Sequence, residues 1–141
     1  MTSAASPFPL AGLEPELETV RAHWQSLIRG ANQMPFWDDF APSALPQSTL
    51  VLMDVFDKPP RFRFSDTVGA ELERRYGDEV RGLFADEIAA RDPFEFLNAQ
   101  CTATVEAQQP TYYRSARYSR LLAPMWGDGR IGMLLGAFAW R

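Results

Sequence analysis

The run 131–140 is apolar on both of its alternating sets, with Ile131, Met133, Leu135 and Ala137 on one and Leu134, Phe138 and Trp140 on the other. Alternate side chains of a strand point to opposite faces, so a strand of this composition belongs inside a sheet that is covered on both sides. Two more β-prone runs, 111–118 and 120–126, precede it, and Gly127-Asp128-Gly129-Arg130 supplies a tight hairpin turn between the last two. Earlier in the chain, the β-prone run 50–56 is followed by the turn Asp57-Lys58-Pro59-Pro60 and then by Arg61-Phe62-Arg63-Phe64. Charge alternating with aromatic at period two predicts a hairpin whose second strand lies at an antiparallel edge, with Phe62 and Phe64 inward and Arg61 and Arg63 toward water. Pro124 fits an internal strand badly and predicts a bulge or an early strand end.

Helical patterns surround and separate these strands. Leu13, Leu17, Val20, Trp24 and Leu27 recur at steps of four and three, the seam of an amphipathic helix over 13–30 that Gly30 would end. That seam packs either on its own domain or against a second copy, and two heptads do not decide between them. Residues 1–12 read as a loose arm, which leaves 13–141 as a single domain. Three prolines make 31–48 irregular, yet Phe36, Trp37 and Phe40 need burial, so the segment is an adherent strap. Between the two strand groups, 68–76 predicts a short helix closed by Gly77, and 82–88 a further helical piece. Asp92 as N-cap, Pro93 in the first turn and Glu95 completing a capping box predict the start of the longest central helix, with Phe94, Leu97, Cys101 and Val105 as its apolar line and Pro110 at its end.

Composition excludes much chemistry. The chain has 141 residues, enough for one core, and is too apolar at 46% to be disordered. A net charge of −4 argues against a general nucleic-acid binder. One cysteine and one histidine, Cys101 and His23, leave no internal disulfide, no multi-cysteine metal site and no His-paired metal site. No apolar run reaches the roughly 20 residues of a membrane span. The start of the chain lacks a secretory pattern, so a cytoplasmic location is expected.

Particular residues carry a resemblance. They are Trp24 with Arg29-Gly30; Met34-Pro35 followed by Asp39-Phe40 and Pro42; Leu45-Pro46; Leu50-Val51-Leu52-Met53-Asp54-Val55; Pro60-Arg61-Phe62-Arg63-Phe64; Val68-Gly69; Gly77 with Gly82; and the stretch 121–125 with Asp128-Gly129. In this order, over about residues 20–137, they resemble a bacterial family of small single-domain PAS proteins. The resemblance implies an α+β fold with a five-stranded antiparallel sheet of order 2-1-5-4-3, a helical crossover on one face and an N-terminal helix that often joins dimers. It implies signal sensing or relay through a protein partner, not catalysis. Trp126 departs from it, standing where a small polar residue would be usual, and no residue matches a flavin-attaching cysteine motif or a haem-binding histidine, so no cofactor is expected.

A ligand pocket between the long helix and the sheet would be lined by Phe94, Leu97, Cys101, Met125, Met133 and Leu135, and would suit a small apolar ligand; a packed core is the simpler alternative. Leu13, Leu17, Val20, Trp24 and Leu27 are the candidate dimer residues. His23 reads as a half-exposed surface histidine and Cys101 as a small buried hydrophobe. Arg114, Arg117 and Arg120, interleaved with Tyr112, Tyr113 and Tyr118, form a basic and aromatic cluster expected to face solvent, with an anion site as the sharper alternative. The rival class is a small-molecule enzyme or binding protein of cone-shaped, ketosteroid-isomerase-like α+β fold, with Asp54 as its only conspicuous acid or base; such a fold places most helices before the sheet.

Overall fold

The computed structural model describes residues 7–141. Its elements run α1 (Pro15–Ser26), β1 (Leu50–Phe56), β2 (Arg61–Val68), α2 (Ala70–Tyr76), α3 (Leu97–Ala107), β3 (Thr111–Arg114), β4 (Tyr118–Gly127) and β5 (Arg130–Trp140), with three single 3-10 turns in the strap between α1 and β1. The strands form one five-stranded sheet of order β2-β1-β5-β4-β3. Every named pairing is antiparallel. The expected strand order and the crossover between the leading pair and the trailing trio are therefore present.

Register assigns the two faces. Cys101 Sγ of α3 lies 3.9 Å from Met53 Sδ, so Met53 faces the crossover. Its partners Phe64 and Leu134 share that face, as do Pro124 opposite Leu134 and Arg120 opposite Phe138. The alternate set, Leu52, Leu135, Ala137 and Met125 among it, faces the other way, where Leu17 and Val20 of α1 border Ala137 and Ala139. Both faces of β5 are covered, as its doubly apolar pattern requires.

The hairpin turns follow local backbone demands. Asp128 and Gly129 both adopt positive φ, 56° and 77°, the mirror-image turn that suits the right-handed twist of β4 and β5. Pro124 sits inside β4 without a break. β3 ends opposite Leu122, and the N–H of Trp126, on the same edge as Pro124, is taken by Pro35 O at 2.8 Å, so the proline lacks a donor only where no strand would use one. The irregularity falls one residue later, where β5 spends Gly132 as an extra residue between Ile131 and Met133.

Four expectations need correction. The central helix begins at Leu97, not at Asp92-Pro93: the Asp92 carboxylate is engaged by Arg75 at 2.9 and 3.1 Å, Glu95 N–H donates to Tyr118 Oη at 3.1 Å, and Phe96 takes a left-handed conformation at φ 57°. Long-range partners have displaced the local capping box. Residues 82–88 form no helix; Gly82, Leu83 and Ala85 instead bond to Phe62 and Phe64 along the outer edge of β2. The arm adheres over its described part, with Phe8 O accepting from Tyr112 N–H at 3.2 Å and the Phe8 ring against Tyr113, while residues 1–6 lie outside the described residues. In the strap, Phe40 is buried and Phe36 half-buried, but Trp37 is exposed, its ring lying over Gly127.

Candidate functional site

The space between α3 and the sheet, where a ligand pocket was expected, is filled by aromatic rings and one arginine. Phe94 is buried against Phe64 (5.2 Å between centroids), Tyr76 (5.3 Å) and Phe138 (5.9 Å). Such tilted and edge-on pairs occupy volume that a ligand would need. Leu97 and Cys101 are buried on the same side. Met125, Met133 and Leu135 are not: by register they lie on the α1 face of the sheet, so the structure splits the expected lining into two groups on opposite faces. The misassignment came from parity, because a run apolar on both faces offers no signal for which set meets which helix.

Arg120 is the residue the sequence reading misplaced most. It was expected to face solvent and is fully buried. Its Nε donates to Gln100 Oε1 at 2.7 Å, and its terminal nitrogens donate to the carbonyls of Pro93 at 3.0 Å and Glu95 at 2.8 Å. Tyr113 lies under the guanidinium at 4.8 Å, with Tyr118 and Phe138 at 6.0 Å. Burial lowers the Arg120 pKa, while the hydrogen bonds and rings compensate for the water the charge has lost. Gln100 passes the network on: Nε2 donates to Thr111 Oγ1 at 3.1 Å, and Thr111 and Thr104 share a hydroxyl contact at 2.6 Å. Among the described residues no buried side-chain nitrogen or oxygen lacks a partner. The hub thus ties α3, the turn before it, β3 and β4 together. Gln100 and Thr104, four residues apart beside the apolar line, were its only signal in the sequence.

The other sequence candidates resolve simply. Leu17, Val20 and Trp24 are buried against the chain's own sheet, with Trp24 Nε1 donating to Pro124 O at 2.9 Å, and Leu13 and Leu27 pack half-buried beside them. The stripe therefore packs on the chain's own sheet, the first of the two alternatives its spacing left open. His23 is half-buried at the strap, edge-on to Phe40. Asp54 is half-exposed and ion-paired to its cross-strand neighbour Arg63 at 3.2 Å. Arg114 and Arg117 are exposed, as expected.

No protein family, curated protein or solved structure matches this chain. Function has to be argued from the site itself. Among the described residues no helix is long and apolar enough to cross a membrane, and no group of three or more His, Cys, Asp or Glu could hold a metal ion.

Proposed function

We propose that this chain is a PAS-like regulatory module that relays a signal by contact with a partner protein, its interior serving as a packed scaffold. The observation that carries this reading is the strand order β2-β1-β5-β4-β3 with α3 crossing between the leading pair and the trailing trio, an arrangement that the enzyme alternative, with its helices ahead of the sheet, does not share. The filled space under α3 supports relay without an internal ligand. Fold alone does not carry function, so the surface must supply the contact. Phe96, the most exposed large apolar residue described, stands at the start of α3 with its ring 5.9 Å from Tyr113, in direct covalent continuity with the Arg120 hub. A partner seated there would sense the position of the crossover.

The test is a photo-crosslinking residue at position 96, used in the source cells to identify the partner, followed by titration of the purified partner. Saturable binding by the wild-type chain that Phe96→Asp abolishes, with the folding transition of the variant unchanged, supports the proposal. Purified partner that binds both forms equally rejects this surface. A stoichiometric apolar molecule extracted from the purified chain, or turnover of a small substrate, rejects the reading as a whole.

A further inference from the structure

A further side-chain cluster lies outside both the hub and the exposed Phe96. Arg75 from the last turn of α2, Arg91 and Asp92 from the loop ahead of α3, and Arg117 from the β3–β4 turn line a surface concavity of about 350 Å3. Three guanidiniums against one carboxylate leave it strongly positive on a chain whose net charge is −4.

The guanidiniums are held in place, not loosely gathered. Asp92 grips Arg75 through both oxygens, at 3.1 and 2.9 Å, and the Arg75 guanidinium lies 4.2 Å from the Trp140 ring centroid. Arg91 donates Nε to Tyr76 O at 3.0 Å and stacks on the Tyr76 ring at 4.1 Å. Arg117 Nε stands 3.5 Å from the same Asp92 oxygen that Arg75 Nη2 uses. Arg91 and Arg117 make these contacts through a ring face or Nε. Among the described residues, the terminal nitrogens of Arg91 and Arg117 are left without a protein acceptor. Arginines fixed in this way lose little entropy when they take up an anion, and their forks match the oxygens of a phosphoryl group.

We propose that this concavity binds the phosphoryl dianion of a small soluble phosphate monoester, with Arg91 and Arg117 as the direct donors and the Asp92–Arg75 pair as the positioning element. A dianion neutralises the cluster, whereas a single carboxylate would leave it cationic. The chain's net charge of −4 does not suit the long track that a polyphosphate backbone needs. The inference does not depend on the contact-relay reading, since it rests on different residues and a different readout.

The test is calorimetric titration of the full chain with phenyl phosphate, inorganic sulfate and benzoate. Phenyl phosphate should bind one to one at about pH 7.5 and more weakly at about pH 5, below its second ionisation at about 6, whereas sulfate stays a dianion and should bind alike at both. Arg91→Gln and Arg117→Gln should each weaken binding by about tenfold, or about 1.4 kcal/mol. Both side chains are exposed, so the variants should fold, and Arg114→Gln, at the exposed end of β3 outside the cluster, should bind as the wild type does. No saturable binding, benzoate binding as tightly as phenyl phosphate, or an equal loss in Arg114→Gln would overturn the proposal. A phosphoserine peptide binding this site more tightly than phenyl phosphate would overturn the small-molecule source.

Discussion

Cys101 and Arg120 show how burial decides what a reactive side chain can do. Burial pushes the Cys101 thiol up to about 12, with the Arg120 charge pulling only partly the other way, and Met53 sulfur is its near neighbour. The thiolate is the nucleophile, so the folded chain should react with iodoacetamide at mildly alkaline pH at least about a hundredfold more slowly than the denatured chain. Comparable rates in mass-spectrometric time courses would show that the α3 interior opens readily. Arg120 makes the opposite case, a charge kept buried by its acceptors. Arg120→Met keeps most of the volume but strands three buried acceptors, each costing about 1 to 3 kcal/mol when unsatisfied, so denaturant unfolding should show a loss of about 3 kcal/mol or more. A loss near zero would mean that the desolvation of the charge had matched the worth of its hydrogen bonds.

At the scale of elements, the joins between segments are more demanding than the segments themselves. α2 follows β2 through Gly69, whose N–H bonds Leu50 O at 2.7 Å. A Cβ at Gly69 would stand 2.1 Å from the backbone oxygen of Ser48, so the last 3-10 turn of the strap and the start of α2 would have to separate. Gly127 is crowded as well, but by the Trp37 ring, which is exposed and can swing aside. Gly69→Ala should therefore cost about 1 to 3 kcal/mol in equilibrium unfolding, and more than Gly127→Ala. The reverse order would place the rigid contact at the strap's tryptophan instead. Helix α3 teaches the same point: Asp92-Pro93-Phe94-Glu95 satisfies every local rule for a helix start, yet Arg75, Tyr118 and Arg120, distant in sequence, claim the groups that a cap would have used. Local signals state what a segment can do, and long-range donors choose among the options.

Across the whole molecule, the sheet is closed off by its own chain. Segment 82–85 bonds the outer edge of β2, Phe8 bonds β3 at Tyr112, and Pro35 bonds the end of β4 that β3 leaves uncovered. Edges blocked in this way do not recruit a further strand, so the proposed relay has to use side-chain surfaces. The start of α1 also meets Arg141: Glu14 accepts from Tyr112 Oη at 2.8 Å and from Arg141 at 2.6 Å. Burial pushes the Glu14 carboxyl up, but hydrogen bonds from Ser119 and Tyr112 and the charge of Arg141 outweigh it, and its pKa is lowered. A carboxyl lowered on folding stabilises the protein above its unfolded pKa and loses that contribution as the pH falls through the folded value. Wild type should thus exceed Glu14→Gln in unfolding free energy at about pH 7, and the gap should close toward about pH 3; a gap independent of pH would reject the clasp. By itself the sequence determined the strand runs, the Asp128-Gly129 turn, the Gly77 helix end and the burial of both faces of β5, because these depend on side-chain periodicity and on the backbone angles of a few adjacent residues, whereas the sheet order was implied by the resemblance alone. Only the tertiary structure decided where α3 begins, that 82–85 serves as an edge cover, that Arg120 is interior, and that Met125, Met133 and Leu135 lie across the sheet from Cys101. Each of those outcomes is a competition for hydrogen bonds or volume among groups far apart along the chain, which local patterns do not encode.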